Sequence, residues 1–219
     1  MTDLHAPPER TERPEPSMRP PERLEPPSSE AIALMPLFER LGIDRIILVN
    51  TGEQARDAAR QLLVAPAWGF DTESKPTFRV GEVSTGPHVL QLATRERAWV
   101  FQLEDATCRA IAAELMAAPG IEKAGFGLGD DRKRIRSKLG VEPQGIVEIN
   151  QLFRQLGYRK EIGVKSAVAT LFHQRFIKSK KAATSNWAQQ HLSESQLIYA
   201  ANDAFAAIRV YESLLANQH

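Results

Sequence analysis

Apolar residues gather in short runs through the first two thirds of the chain and then recur at helical spacing to the end. "DRIILVN" (44–50) and "AWGFDTE" (67–73) read as strands, since each run is too short for a helix and is rich in β-branched or aromatic residues. Between them "GEQARDAARQLLV" (52–64) has a helical period and starts at the Thr51-Gly52 turn. "HVLQLATRERAWVFQL" (88–103) divides into two apolar strands around a polar turn from Thr94 to Arg97, the pattern of a hairpin. "DATCRAIAAELMAA" (105–118) is an amphipathic helix stopped by Pro119-Gly120. "IEKAGF" (121–126) reads as a strand, "GDDRKRIRSKLG" (129–140) as a helix ended by Gly140, and "GIVEI" (145–149) as another strand. After Glu148 the pattern predicts helices over 150–157, 163–172 and 193–216, the last opened by the capping sequence Ser193-Glu194-Ser195-Gln196. Strands gathered early, helices late and alternation between them predict an α/β fold: a mixed β-sheet flanked by helices.

The first 30 residues break this pattern. They hold eight of the 14 prolines, and seven acidic residues stand there against four arginines, so this segment cannot bury enough apolar surface to fold. The expectation is a disordered Pro-rich tail over 1–30 and one domain over 31–219. No apolar run approaches the roughly 18 residues of a membrane helix, and the polar N-terminus lacks the hydrophobic core of a secretory signal. A single cysteine, Cys108, excludes an internal disulfide framework and a Cys-cluster zinc site, and the histidines show no ligand spacing. These features together point to a cytoplasmic protein. Oligomeric state leaves no mark in the sequence.

Formal net charge is only +1, yet its distribution is uneven. From Asp131 to Lys181 there are 13 Lys or Arg against four acidic residues, an excess of nine. Such a run is most often a solvated helix face, but an excess this large also suits a polyanionic partner.

Candidate chemistry comes from the acidic residues. Asp71 and Glu73 end a strand two apart, so both side chains leave on one face, where like charges repel unless a cation lies between them. Tyr199 and Asp203 are four apart inside the last helix and share a face, with Asp203 set among alanines. Buried there, the carboxylate needs a donor or a cation, although a Tyr–Asp hydrogen bond in a core is the bland alternative. "KAGFGLGDD" (123–131) resembles a phosphate loop, but the dinucleotide pattern requires glycine where Asp130 stands, and two acids opening a helix repel a pyrophosphate. One of Asp130 and Asp131 is expected to cap the helix and the other to face a cleft. Together these segments supply four carboxylates and a phenol, the oxygen-rich set that suits hard divalent ions acting on phosphates. Two such ions about 3.5–4 Å apart clamp the attacking and leaving oxygens in phosphodiester cleavage.

On these motifs the chain resembles the DEDD family of 3′–5′ exonucleases, in the branch of the Werner-type exonuclease domain and ribonuclease D. Asp71-Thr72-Glu73 is similar to the family's first motif, Asp131 within "KAGFGLGDDRKRI" to the second, and Tyr199 with Asp203 in "YAANDAFA" to the third. Ile198 stands where the other branch carries histidine, so the chain is similar to the tyrosine branch. The resemblance covers roughly residues 42–216. It implies a ribonuclease H-like fold and hydrolysis from the 3′ end with release of nucleoside 5′-monophosphates. It also implies two ions, Mg²⁺ or Mn²⁺, held by Asp71, Glu73, Asp131 and Asp203, with Tyr199 orienting the nucleophile. The implied partner is a single-stranded 3′ end of DNA or RNA, its phosphates met by Lys178, Lys180 and Lys181. Two alternatives stay open: a hydrolase restricted to two- to five-nucleotide RNA, and a module that holds nucleic acid without cutting it.

Overall fold

The computed structural model describes residues 24–77, 81 and 84–217. Among the described residues six strands form one sheet: β1 (Ile46–Val49), β2 (Ala67–Glu73), β3 (Val89–Ala93), β4 (Ala98–Gln102), β5 (Glu122–Gly125) and β6 (Ile146–Glu148). Their spatial order is β1-β4-β3-β2-β5-β6. Of these, β3 runs against its neighbours, pairing antiparallel with β2 and β4, and the remaining pairs are parallel. The C-terminal ends of five strands therefore open on one edge, where crossing loops and helix ends can build a site.

The helices described alongside the sheet are α1 (Ser29–Ala33), α2 (Gly52–Leu62), α3 (Ala106–Ala117), α4 (Gly129–Leu139), α5 (Ile149–Gln155), α6 (Val164–Phe172), α7 (Lys180–Ala183) and α8 (Glu194–Ala216). The starts of α2 and α8 follow from their sequences. Thr51 and Ser193 each accept the amide three residues on, and Gln54 and Gln196 reach back to close capping boxes. Gly140 ends α4 at φ 71°, the left-handed conformation glycine adopts without a Cβ penalty.

The expected strands and long helices are present, with ends moved by one or two residues. The sequence pattern did not mark α1, α7 or the 3₁₀ turn Ile43–Arg45, all of which are short. The expected tail lies outside the described residues as far as 23. Residues 24–30, placed in that tail by composition, take part in the fold: Leu24 bridges Tyr158, Glu25 pairs with Lys160 at 3.1 Å, and Ser28 caps α1. Proline content marked the entropy of this segment and could not reveal the surface it lies on.

The two faces of the sheet are packed differently. Trp68, Phe70, Leu90, Leu92, Trp99 and Phe101 point toward α2 and α3. The other face carries small or short side chains, among them Ala93, Ala98 and Val100, and α8 lies across it. Gly69 allows the closest approach, because a Cβ there would fall 1.9 Å from the Ala204 carbonyl oxygen. Asn202 ties the helix to the segment before β1: its Oδ1 accepts the Leu41 amide at 2.8 Å and its Nδ2 donates to the Leu41 carbonyl at 3.2 Å.

Candidate active site

The last residues of β2 and the middle of α8 meet at the C-terminal edge of the sheet. Alternation on β2 sends Trp68 and Phe70 to one core and Gly69, Asp71 and Glu73 to the α8 side. Helical spacing puts Tyr199 and Asp203 on the face that descends onto them. Ligand oxygens of Asp71, Glu73 and Asp203 all lie within 4.8 Å of one another. Asp203 is 5% exposed. Lys178 supplies the nearest cation, with Nζ 2.7 Å from Asp203 Oδ2 and 5.3 Å from the centre of the Tyr199 ring. Beyond that ion pair no donor meets strict hydrogen-bond geometry at the Asp203 oxygens among the described residues, while the nearby Tyr199 hydroxyl also favours the charged carboxylate.

Crowding of like charges away from water shows in the titration of the group. Burial, then the neighbouring Asp71 and Asp203, push the Glu73 carboxyl up to about 9. Burial and Asp203 raise Asp71, with Lys178 acting in the opposite direction. Burial also raises Asp203, again against Lys178. For Lys178 itself burial works downward, but Asp203 and Asp71 outweigh it and hold the ammonium above the ordinary lysine range. Tyr199 is raised by burial and by Asp203, so its phenol keeps its proton at neutral pH.

Asp131 occupies a different place from the other three acids. It stands in the first turn of α4, outside the three-carboxylate cluster, and accepts a hydrogen bond from the Thr72 hydroxyl. That bond ties α4 to the strand between Asp71 and Glu73. Burial raises the Asp131 carboxyl and the Thr72 bond opposes the rise. Asp130 is exposed and faces Lys133 across 3.9 Å.

The expected cap at α4 differs from the one found. Leu128 is the N-cap residue and no side chain from Asp130 or Asp131 caps the helix. The amides of Gly127 and Leu128 donate instead to the two oxygens of Glu148, at 3.1 and 2.7 Å. A carboxylate at the end of a neighbouring strand thus performs the task assigned to a local one, which leaves Asp131 free to turn toward β2.

The three lysines separate. Lys180 and Lys181 are exposed in the first turn of α7, whose start is capped by Ser179. Lys178 lies inside the carboxylate site, a placement its charge-rich neighbourhood did not foretell. Sequence reading also missed Thr72 and Glu148. Thr72 sits between two acids already singled out, which is the only local signal it carries. Trp187 is buried behind the site, its ring 5.9 Å from that of Tyr199.

Beside the carboxylates lies a cavity of about 430 Å³, lined by Asp71, Asp203, Lys178, Lys165, Phe126 and Ser166 among others. Three carboxylates with oxygens within 4.8 Å of one another, close enough to share an ion, fit a hard divalent cation: each is an oxygen ligand and their mutual repulsion is relieved by positive charge.

Comparison with known proteins agrees with that geometry. A family model described as 3′–5′ exonuclease matches residues 46–217. The chain is 24% identical over 162 residues to the bifunctional 3′–5′ exonuclease/ATP-dependent helicase WRN of Mus musculus, across 73% of this chain and 12% of that protein. It is 26% identical over 148 residues to a 3′–5′ exonuclease of Arabidopsis thaliana, across 67% of this chain and 51% of the other. The chain therefore spans about half or less of the length of these two curated relatives. Among solved structures, the EXO domain of Aedes aegypti Nibbler matches with a TM-score of 0.68 at 20% identity, covering 83% of this chain and 93% of that one. RNase D of Trypanosoma brucei, in complex with RNA U12, matches with a TM-score of 0.69 at 18% identity, covering 87% and 66%. At these identities the structural likeness establishes the fold, which is ribonuclease H-like as expected.

Proposed function

The chain belongs to the 3′–5′ exonuclease family, and on that premise we propose that it hydrolyses nucleic acid from the 3′ end, releasing nucleoside 5′-monophosphates with two divalent ions, Mg²⁺ or Mn²⁺. The observation that carries this reading is the convergence of Asp71, Glu73 and Asp203 within 4.8 Å at the sheet edge. Asp71, Glu73 and Asp203 would hold the ions, and Asp131 would help anchor the second. When bound, the ions stabilise charge on the attacking and leaving oxygens of the phosphodiester.

The chain's own residues perform the remaining tasks. Tyr199 keeps its proton, so it is no general base; its hydroxyl orients the attacking water toward phosphorus. Water adds to phosphorus, the bond from phosphorus to the 3′ oxygen of the penultimate nucleotide breaks, and that oxygen takes up a proton. The terminal nucleotide leaves as its 5′-monophosphate. Thr72 holds Asp131 in place, and Glu148 fixes the start of the helix that carries it.

The substrate in this reading is a single-stranded 3′ end. Lys180 and Lys181 are exposed on the segment that follows Lys178, and they would neutralise phosphates of the strand. The bound RNA of the similar Trypanosoma brucei RNase D supports including RNA among substrates. Among the described residues no helix is long and apolar enough to cross a membrane. The cytoplasmic setting belongs to the same reading and rests on the sequence. The test is digestion of matched 5′-labelled DNA, RNA and dinucleotides with Mg²⁺, Mn²⁺ or EDTA. A ladder shortening from the 3′ end, with 5′-monophosphates as product and none in EDTA, is expected. Intact oligonucleotides under both metals would leave only nucleic-acid binding.

A further inference from the structure

The segment that carries Lys178 is fastened on both sides while the side chain itself reaches inward. Before it, the Arg175 amide donates to the Pro36 carbonyl at 2.7 Å and the Phe38 amide to the Arg175 carbonyl at 3.1 Å. Phe176 packs on Phe38 with ring centres 5.9 Å apart. After it, Ser179 accepts the Ala182 amide and starts α7. The backbone is therefore pinned, and the side chain stands between Asp203 and the adjoining cavity of about 430 Å³, which Lys178 also lines.

Asp203 depends on this side chain. Apart from the ion pair no donor among the described residues meets strict hydrogen-bond geometry at its oxygens, the Tyr199 hydroxyl and Lys165 giving lesser support, and a buried carboxylate in that position requires a cation. Lys178 meets that requirement at 2.7 Å, with its ammonium also over the Tyr199 ring. Lys180 and Lys181, two and three residues on, are exposed and do not substitute for it.

We propose that Lys178 is a tethered counter-cation of Asp203, so that metal loading at this carboxylate is an exchange of the ammonium for the divalent ion. The proposal rests on the reading of Asp71, Glu73 and Asp203 as metal ligands. An Mg²⁺ ion sits about 2.0–2.1 Å from its oxygen ligands. An ammonium at hydrogen-bond distance from the same carboxylate would lie only a few ångströms from that ion, and the two positive charges repel. The ammonium must leave as the ion enters. The cavity next to the carboxylates, which Lys178 already lines, gives the ammonium a place to go. Lys178 thus protects the apo site from carboxylate repulsion and sets a threshold of ion concentration for activity, a role distinct from tracking the phosphate backbone.

The experiment is a calorimetric Mn²⁺ titration of the full chain without nucleic acid, comparing the wild type with Lys178→Met and Lys178→Arg. Loss of the charge in Lys178→Met should tighten the first Mn²⁺ by at least about tenfold. The same substitution should lower the melting midpoint in EDTA. Lys178→Arg, which retains the charge, should bind Mn²⁺ close to wild type. If Lys178→Met fails to fold, Lys178→Gln carries the same measurement. Wild-type or weaker Mn²⁺ affinity in the uncharged variant would overturn the exchange while leaving the metal site intact. If the wild type itself binds no Mn²⁺ and Asp203→Asn changes nothing, the reading of the carboxylates as ligands falls, and the exchange with it.

Discussion

The two faces of one strand, β2, do opposite work. Toward α2 and α3 it presents Trp68 and Phe70, which fill a core of large side chains. Even the buried charge on that side is paired with the backbone: Lys123 Nζ donates to the carbonyls of Ala118 and Ile121 at 2.9 and 3.0 Å, and burial lowers its ammonium to about 8. Toward α8 the same strand presents Gly69, Asp71 and Glu73. There the packing partner is a helix rich in alanine, and the buried Asp203 has an ammonium for company. One face serves stability, and the other keeps carboxylates in a crowd that no core requires. The separation lets like charges be held together while the sheet beneath them stays rigid.

The sharpest way to test that separation is to remove a carboxylate. Asp203→Asn and Asp71→Ala should each lower kcat by roughly 10³-fold or more, the scale on which a group that stabilises transition-state charge acts. The melting midpoint of Asp71→Ala in EDTA should stay level or rise, since like-charge crowding is relieved, whereas Asp203→Asn also takes the partner from Lys178 and is read for activity alone. A drop of many degrees with activity retained would place these acids in the core's service.

The complementary substitution lies one residue away. Phe70→Ala should cost about 3–5 kcal/mol of stability by opening a cavity on the α2–α3 face. In denaturant melts this loss should be plain, while Mn²⁺ still binds the fraction that remains folded. If binding disappears before the fold does, the two faces are coupled more tightly than their packing indicates.

Tyr199→Phe sits on the boundary, because the ring packs against Trp187 while the proposed mechanism gives the hydroxyl the task of orienting water. It should reduce kcat about 10²-fold with metal affinity preserved. Single-turnover cleavage at the wild-type rate would make Tyr199 a packing residue.

Protons supply a gentler probe. Glu73 is raised from 4.5 to about 9 in the folded chain, so between those values the native state binds the extra proton. Its contribution is fully present below about pH 4.5 and is lost as pH climbs through about 9, so melts in EDTA should show stability declining across that window. Glu73→Gln should flatten the decline. Mn²⁺ should reverse it, since ionised carboxylates bind the ion and release protons. A stability that rises with pH in EDTA, and does so equally in Glu73→Gln, would mean the carboxylates are not crowded.

The smallest effect concerns the outer surface. Replacing Lys180 and Lys181 by alanine should reduce the slope of log K against log salt for single-stranded nucleic acid, by about 0.7 for each phosphate no longer neutralised. Fluorescence anisotropy across a salt series would read it, and an unchanged slope would move the strand's path elsewhere.

Much of this architecture is already present in local sequence. Period-two alternation was enough to place Asp71 and Glu73 on one face, and a spacing of four was enough to place Tyr199 beside Asp203, because strand and helix geometry leave no other option. The capping boxes at Thr51 and Ser193 are read the same way. The choice between Asp130 and Asp131 was half legible: motif spacing favoured Asp131, but the expected local cap did not form. Glu148 takes that role from another strand, and only the parallel pairing of β5 with β6 brings it there. Residues 24–30 were misjudged because composition reports the cost of ordering a segment without reporting what it can lie against. Lys178 was read, with Lys180 and Lys181, as meeting phosphates of the strand, and nothing within a few residues distinguishes it from the other two.

By itself, then, the sequence determined the elements, the faces of those elements and the kind of chemistry they could support, since these depend on bonded geometry and short-range spacing. Tertiary structure alone decided that β1 joins the sheet beside β4, that α8 comes down on Gly69 close enough for Asp203 to meet Asp71, and that one lysine of three turns inward. Those outcomes rest on long-range packing and on the cost of burying charge, which no local pattern records because the partners are far apart in the chain.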